Sequence, residues 1–164
     1  MGNVTSFEAL YRRFAPDVFR FALYLSADRA LAEDITSETF VRAWTSPSAI
    51  RTATVKAYLL AIARNLYVEE KRRRGRHTDL PDTLPDGADL ARRTGMRDAL
   101  DRAAAELQQV PEGDRTALLM RAEEEMTYEE IAAALGISLA AVKMRIFRAR
   151  LRLAELKEVL QWKA

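Results

Sequence analysis

The sequence predicts an all-α protein made of two small helical domains joined by a flexible linker. Apolar residues recur at helical spacing, strong helix formers dominate, and no convincing alternating strand pattern is present. Between the helical blocks the periodicity is lost over residues 77–96, where two prolines and four aspartates accumulate. We therefore predict a first domain over residues 1–76, a flexible acidic linker over 77–96 and a second domain over 97–164.

Three helices are predicted in the first domain. The first covers Phe7–Leu25, where Pro16 can bend or split it, and the second covers Ala30–Trp44. After a loop rich in Ser, Thr and Pro, the third helix covers Val55–Arg73. Its buried face is predicted to consist of Val55, Leu59, Ile62 and Leu66.

The second domain contains two helices joined by a Gly-Ile-Ser turn. Gly136 can adopt the left-handed conformation that ends the first of them, and the Ser138 hydroxyl can cap the next. This last helix carries five cations and no acid up to Leu153, which favours a helix-turn-helix that enters a DNA major groove. The alternative is a solvated, arginine-rich helix. The predicted buried stripe consists of Val142, Ile146, Ala149, Leu153 and Leu156.

A second cationic surface is predicted near the end of the third helix. Arg64, Tyr67 and Lys71 share the side opposite the buried face, with Asn65 beside them, and a basic run follows. Cations of this kind bind phosphates while an aromatic ring stacks on an unpaired base. Cations at a helix C-terminus also complement the helix dipole, so part of this cluster needs no ligand.

The second helix carries acids on its surface instead. Asp34, Glu38 and Arg42 recur at four-residue spacing, while Phe40 and Trp44 lie on another edge. Because an acidic face repels nucleic acid, this helix is predicted to bind a protein. By itself the same pattern also fits an ordinary amphipathic helix.

Composition excludes several classes of function. The chain has no cysteine, which excludes disulfides and thiolate chemistry. His77 is its only histidine, so a metal site built from several histidines is excluded as well. No apolar run approaches the roughly 20 residues of a membrane span, and we predict a cytoplasmic protein without membrane insertion. No nucleophile motif or phosphate-binding glycine loop is present, so neither an enzyme nor a cofactor is expected.

Taken in order, three segments resemble the extracytoplasmic-function (ECF) family of bacterial RNA polymerase sigma factors. They are AEDITSETFVRAW, YLLAIARNLYVEEKRRR and VPEGDRTALLMRAEEEMTYEEIAAALGISLAAVKMRIFRARLRL. The resemblance covers nearly the whole chain, with region 2 at about residues 7–76 and region 4 at about 97–158. It implies a promoter-specificity subunit without chemistry of its own. The implied partners are core RNA polymerase (β′ clamp helices and β flap), promoter DNA and an anti-sigma factor.

The resemblance also implies roles for individual residues. Residues expected to bind core polymerase are Asp34, Glu38, Phe40 and Arg42. Those expected at the −10 element, together with the loop Ser46–Thr54, are Arg64, Asn65, Tyr67, Lys71, Arg72 and Arg73. Those expected at the −35 element are Ser138, Ala141, Lys143, Met144, Arg145, Phe147, Arg148 and Arg150.

The last helix departs from the family pattern. Ala141 and Met144 stand where family members commonly carry hydroxyl residues, which removes hydrogen bonds to DNA. Met144 and Phe147 form an outward apolar patch that could meet thymine methyl groups, or pack on polymerase or an inhibitor.

Two other functions remain open at this point. A stand-alone helix-turn-helix regulator would need neither the acidic helix nor the basic third helix. A sigma mimic that sequesters an anti-sigma factor is expected to lose the DNA-facing cations, which this chain keeps. We expect no fused regulatory domain after region 4, and we therefore expect control to come from another chain.

Overall fold

The computed structural model describes residues 7–45, 54–76 and 96–163, apart from the side chains at 76, 96–97 and 158–163. Over these residues the chain forms helices and no strand, which confirms the predicted all-α class. The helices are α1 (Phe7–Ser26), α2 (Arg29–Thr45), α3 (Val55–Arg76), α4 (Met96–Leu107), α5 (Glu112–Ala122), α6 (Tyr128–Leu135) and α7 (Leu139–Lys163). The predicted linker, except Met96, and the predicted loop, except Thr54, lie outside the described residues.

Helices α1 to α3 pack together as the first block. Helix α1 continues through Pro16 without a break, so the proline does not split it. Leu59, Ile62 and Leu66 of α3 are buried as predicted, but Val55 is half exposed. The prediction for Val55 was wrong because this residue is the first of its helix and precedes the part of α3 that crosses the core.

The buried face of α2 is partly polar. Thr36 and Thr39 are almost fully buried beside Ile35 and Phe40. Each threonine hydroxyl donates to the backbone carbonyl four residues earlier, Thr36 to Ala32 at 2.7 Å and Thr39 to Ile35 at 2.6 Å. These local hydrogen bonds satisfy the hydroxyls, so α2 buries them without an unpaired polar group.

The second block, helices α4 to α7, contains the predicted helix-turn-helix as α6 and α7. Gly136 ends α6 in the left-handed conformation, at φ 66°, as the sequence predicted. The Ser138 hydroxyl accepts a hydrogen bond from the Ala141 backbone N–H at 3.1 Å, which confirms the predicted cap of α7. Val142, Ile146 and Ala149 are buried and Leu153 is partly buried against the core, so the predicted apolar stripe is confirmed over these four residues. The fifth residue, Leu156, is only partly buried and does not join that core, so the prediction of its burial was wrong.

The Ser138 cap gives a first testable expectation. Ser138→Ala removes the acceptor for one N–H at the start of α7 and is expected to destabilise the fold by about 1 kcal/mol. Urea unfolding followed by circular dichroism measures this loss. Ser37→Ala, at an exposed position inside α2, is the matched control. Equal unfolding midpoints for the two variants would show that the cap contributes nothing.

The two blocks pack against each other. Helix α1 lies against α4 and α5, and α3 lies against α6. The buried residues of both blocks form one continuous apolar cluster that runs from Val18 to Ala149. A polar contact crosses the same boundary, because the Gln108 side-chain amide donates to the Leu25 carbonyl at 3.1 Å. In this conformation the surfaces between the blocks are therefore unavailable to a partner.

Candidate nucleic-acid and polymerase interfaces

Helix α7 presents a cationic, partly apolar face to solvent. Lys143 and Arg150 are exposed, and no described residue forms an ion pair with either. Met144 and Phe147 are 52% and 62% exposed, so they form the outward apolar patch that the sequence predicted. Ser138 and Ala141 lie at the start of the helix, where the Ser138 hydroxyl is already used as the cap.

Two other cations of α7 contact α5. Arg148 forms a two-pronged ion pair with Asp114, with nitrogen–oxygen distances of 3.2 and 3.0 Å. The hydrogen bonds and negative charge of Asp114 raise the pKa of Arg148 above its ordinary value. Arg145 lies over Gly113, where an added Cβ would stand only 3.1 Å from the guanidinium. Both arginines therefore help to fix α7 on α5, in addition to any contact with DNA.

The surface predicted for the −10 element is partly covered by the second block. Tyr67 is only 1% exposed, and its hydroxyl accepts a hydrogen bond from Arg115 at 3.0 Å. Arg64 lies 3.4 Å from the Glu112 carboxylate. The prediction that Tyr67 offers an open stacking surface is wrong for this conformation, because α5 supplies a partner from across the block boundary.

The remainder of this predicted surface is exposed. Asn65, Lys71, Arg72 and Arg73 all face solvent along the C-terminal half of α3. Glu70 binds Arg73 at 2.8 Å, and this hydrogen bond, together with the arginine charge, lowers the pKa of Glu70. Glu69 is exposed on the same surface, so the cluster is a cationic surface that also contains two carboxylates.

A buried carboxylate joins the two blocks. Glu124 has no exposed side-chain surface, and it pairs with Arg20 of α1 at 3.0 Å and Lys56 of α3 at 2.8 Å. Asp17 approaches the same two cations, at 3.1 Å and 3.7 Å. Burial lowers the pKa of Arg20, but Glu124 and Asp17 outweigh that effect and raise it overall. Sequence reasoning missed Glu124 and Arg115, because nothing in their local pattern identifies partners on another block.

The exposed face of α2 carries the residues predicted to bind polymerase, with one exception. Asp34 and Glu38 are exposed, and Arg42 pairs with Glu38 at 3.2 Å and with Glu69 at 3.4 Å. Phe40 is fully buried. It cannot contact polymerase directly from this position, so the prediction of a contact role for Phe40 is wrong for this conformation.

An aromatic cluster borders the acidic face of α2. Trp44 is half exposed and stands edge-on to Phe7 of α1 at 5.9 Å between ring centres. Tyr11 stacks on Phe7 at 6.1 Å and approaches Phe40 at 4.9 Å. The Phe7 and Tyr11 contributions were not predicted, because they depend on how α1 packs against α2.

Neither metal binding nor a membrane span has support in the described ranges. Among these residues no group of three or more His, Cys, Asp or Glu side chains is arranged to hold an ion. No described helix is both long and apolar enough to cross a bilayer.

Comparison with known families identifies the class of protein. The family model for Sigma-70 region 2 matches residues 10–77, and the model for Sigma-70, region 4 matches residues 100–153. The first match spans α1 to α3 and the second spans the helix-turn-helix, in the order predicted. The chain therefore has the two-region architecture of sigma-70 proteins.

Individual relatives show which family of sigma-70 proteins the chain resembles in sequence and length. The ECF RNA polymerase sigma factor SigM of Bacillus subtilis is 30% identical over 155 residues, covering 91% of this chain and 93% of SigM. SigE of Mycolicibacterium smegmatis, also an ECF sigma factor, is 34% identical over 159 residues, covering 92% of this chain but only 61% of SigE. This chain belongs to the ECF family of RNA polymerase sigma factors.

A solved structure supports the same relationship. The sigma factor RpoE from Bartonella quintana, crystallised with the anti-sigma factor NepR, matches with a TM-score of 0.72 and 26% identity. The match covers 95% of this chain and 99% of that one. The similarity therefore includes both blocks.

Proposed function

We propose that this protein binds core RNA polymerase and directs initiation at promoters by recognising −10 and −35 elements. The observation that carries the proposal is the separation of charge on the ECF sigma framework. Helix α2 exposes Asp34 and Glu38, whereas α3 and α7 expose cations on different blocks. An acidic helix suits a protein partner, and two cationic helices suit two stretches of DNA phosphate.

Each block is proposed to have its own binding roles. Residues 1–76 bind polymerase, principally its β′ clamp helices, and read the −10 element. Residues 97–164 read the −35 element as duplex and approach the β flap, and residues 77–96 connect the two. Tethering makes the second DNA contact intramolecular, so two weak surfaces can act together. The protein itself is proposed to have no catalytic activity, and to work in the cytoplasm because its polymerase and promoter partners are there.

Promoter binding requires the blocks to separate. Tyr67 cannot stack on a base while its hydroxyl is bonded to Arg115 and its ring is buried. We therefore assign the packed conformation to a form that is not bound to the promoter. An anti-sigma factor that stabilises this form, as a partner comparable to NepR of the Bartonella sigma factor, is the proposed regulator.

Run-off transcription with purified bacterial core polymerase tests the proposal. The protein is expected to bind core and start transcripts at defined genomic promoters. If it does neither, the proposed function is wrong. A strong palindromic footprint in the absence of polymerase would instead support a stand-alone regulator.

A charge-reversal variant tests the polymerase surface. Asp34→Lys replaces an exposed acid on α2 and is expected to weaken core binding at least tenfold, because like charges then oppose each other at the interface. Glu33→Lys makes the same change at the neighbouring exposed position, which points to a different side of α2. Fluorescence anisotropy with labelled protein measures both affinities. Equal affinities for the two variants would remove Asp34 from the interface.

A further inference from the structure

The outward face of α7 carries a stripe of apolar side chains. Met144, Phe147 and Leu151 are 52%, 62% and 51% exposed, respectively. They follow one another at three- and four-residue spacing, so they share one side of the helix, opposite the buried stripe. Large apolar groups exposed together on one helix face indicate a contact surface rather than ordinary solvent exposure.

Cations border this stripe on both sides. Lys143 and Arg150 lie along one edge, and Arg148, which is paired with Asp114, lies along the other. The first acid of α7 itself is Glu155. A surface with an apolar centre and cationic borders complements a DNA groove, whose walls are phosphate. The stripe also begins in the N-terminal half of the second helix of the helix-turn-helix, the part that reaches base edges in this motif.

The apolar centre limits which bases it can contact favourably. In the major groove the distinctive apolar group is the C5 methyl of thymine, while the other base edges present hydrogen-bond donors and acceptors. A thioether or phenyl ring against those polar edges would leave them without water or a protein partner. Contact with a methyl group buries apolar surface on both sides instead.

We propose that Met144 and Phe147 make this protein select thymines in its −35 element through contact with their methyl groups. This inference rests on the proposed function. The two residues are separated by about 4.5 Å along the helix axis, close to the spacing of adjacent base pairs, about 3.4 Å. The selected thymines therefore occupy neighbouring base pairs, on either strand.

The test uses the protein assembled with core polymerase. A promoter library randomised upstream of the −10 element is selected for binding, and the preferred sequence is resynthesised with each thymine replaced in turn by deoxyuridine. This replacement deletes one methyl group and leaves all hydrogen-bonding groups unchanged. At one or two adjacent positions it is expected to weaken binding three- to fivefold, the effect of exposing one methyl group.

Serine variants test whether the deoxyuridine penalty depends on Met144 and Phe147. In Phe147→Ser or Met144→Ser, the deoxyuridine penalty is expected to vanish at the matching position, while binding stays sensitive to salt. Both side chains are exposed, so the fold is expected to persist, and circular dichroism verifies it. Leu151→Ser is the matched control. It removes an equally exposed apolar group at the middle of α7, about one turn beyond Phe147, and is expected to keep the penalty.

Two outcomes would overturn the inference while leaving the proposed function intact. One is equal binding of thymine and deoxyuridine promoters by the wild-type holoenzyme. The other is an undiminished penalty in both serine variants, which would mean that side chains other than Met144 and Phe147 contact the thymine methyl groups. If no library member is enriched at all, the proposed promoter function fails and the inference fails with it.

Discussion

Phe40→Ala is expected to lower the free energy of unfolding by about 3–5 kcal/mol, the usual cost of removing a buried phenyl ring. Phe40 is fully buried, and its ring lies 4.9 Å from that of Tyr11, so truncation leaves a cavity between α1 and α2. Urea denaturation followed by circular dichroism measures the change. Any loss of polymerase binding in this variant would follow from damage to the α1–α2 pair rather than from a missing contact.

Two further variants make this expectation specific. Val41→Ala shortens the next side chain, which is 46% exposed, and is expected to change stability by no more than about 0.5 kcal/mol. Phe40→Leu keeps most of the apolar volume and gives a folded protein if alanine does not. The burial argument would be refuted if Phe40→Ala unfolded like Val41→Ala and yet failed to bind polymerase.

Glu124→Gln is expected to lower the free energy of association between the two blocks by about 2 kcal/mol. The carboxylate is fully buried and holds Arg20 and Lys56, and its loss leaves both cations without their strongest partner. Removing one member of a buried ion pair typically costs about 3–5 kcal/mol. The value expected here is smaller because both cations are about one-third exposed and recover some hydration.

Small-angle X-ray scattering detects this change as a larger radius of gyration, and thermal unfolding detects it as separate transitions of the blocks. Glu125→Gln makes the same substitution at the adjacent exposed residue and is expected to leave both measurements unchanged. If Glu124→Gln scatters and melts like Glu125→Gln, the buried carboxylate does not hold the blocks together. If it opens the protein, Tyr67 becomes accessible.

Local sequence patterns were sufficient to predict the helix-turn-helix. The end of α6 and the start of α7 depend on Gly136 and Ser138, whose conformation and capping are local properties. The buried stripe of α7 has regular spacing and contains only apolar residues, so its direction was evident. The exposed acids of α2 and cations of α7 followed from the same periodicity.

The buried face of α2 and the burial of Tyr67 could not be predicted from the local sequence pattern. The buried face of α2 contains Thr36 and Thr39, whose hydroxyls are satisfied within the helix, so polarity did not mark which side faces the core. The contact role of Phe40 came from the family resemblance, which does not show that its ring packs into the core. The burial of Tyr67 depends on Arg115, a residue 48 positions away, and only the packing of the two blocks brings them together.

The Arg148–Asp114 pair has a consequence for how this protein would discriminate among binding sites. Asp114 is nearly inaccessible to solvent and already occupies two nitrogens of the guanidinium. A guanine that binds Arg148 must therefore displace the Asp114 carboxylate from the guanidinium, or accept a hydrogen bond from the one terminal nitrogen that Asp114 does not bind. Recognition at that base pair is expected to be graded, so that several promoters of unequal strength remain usable rather than one sequence excluding the rest.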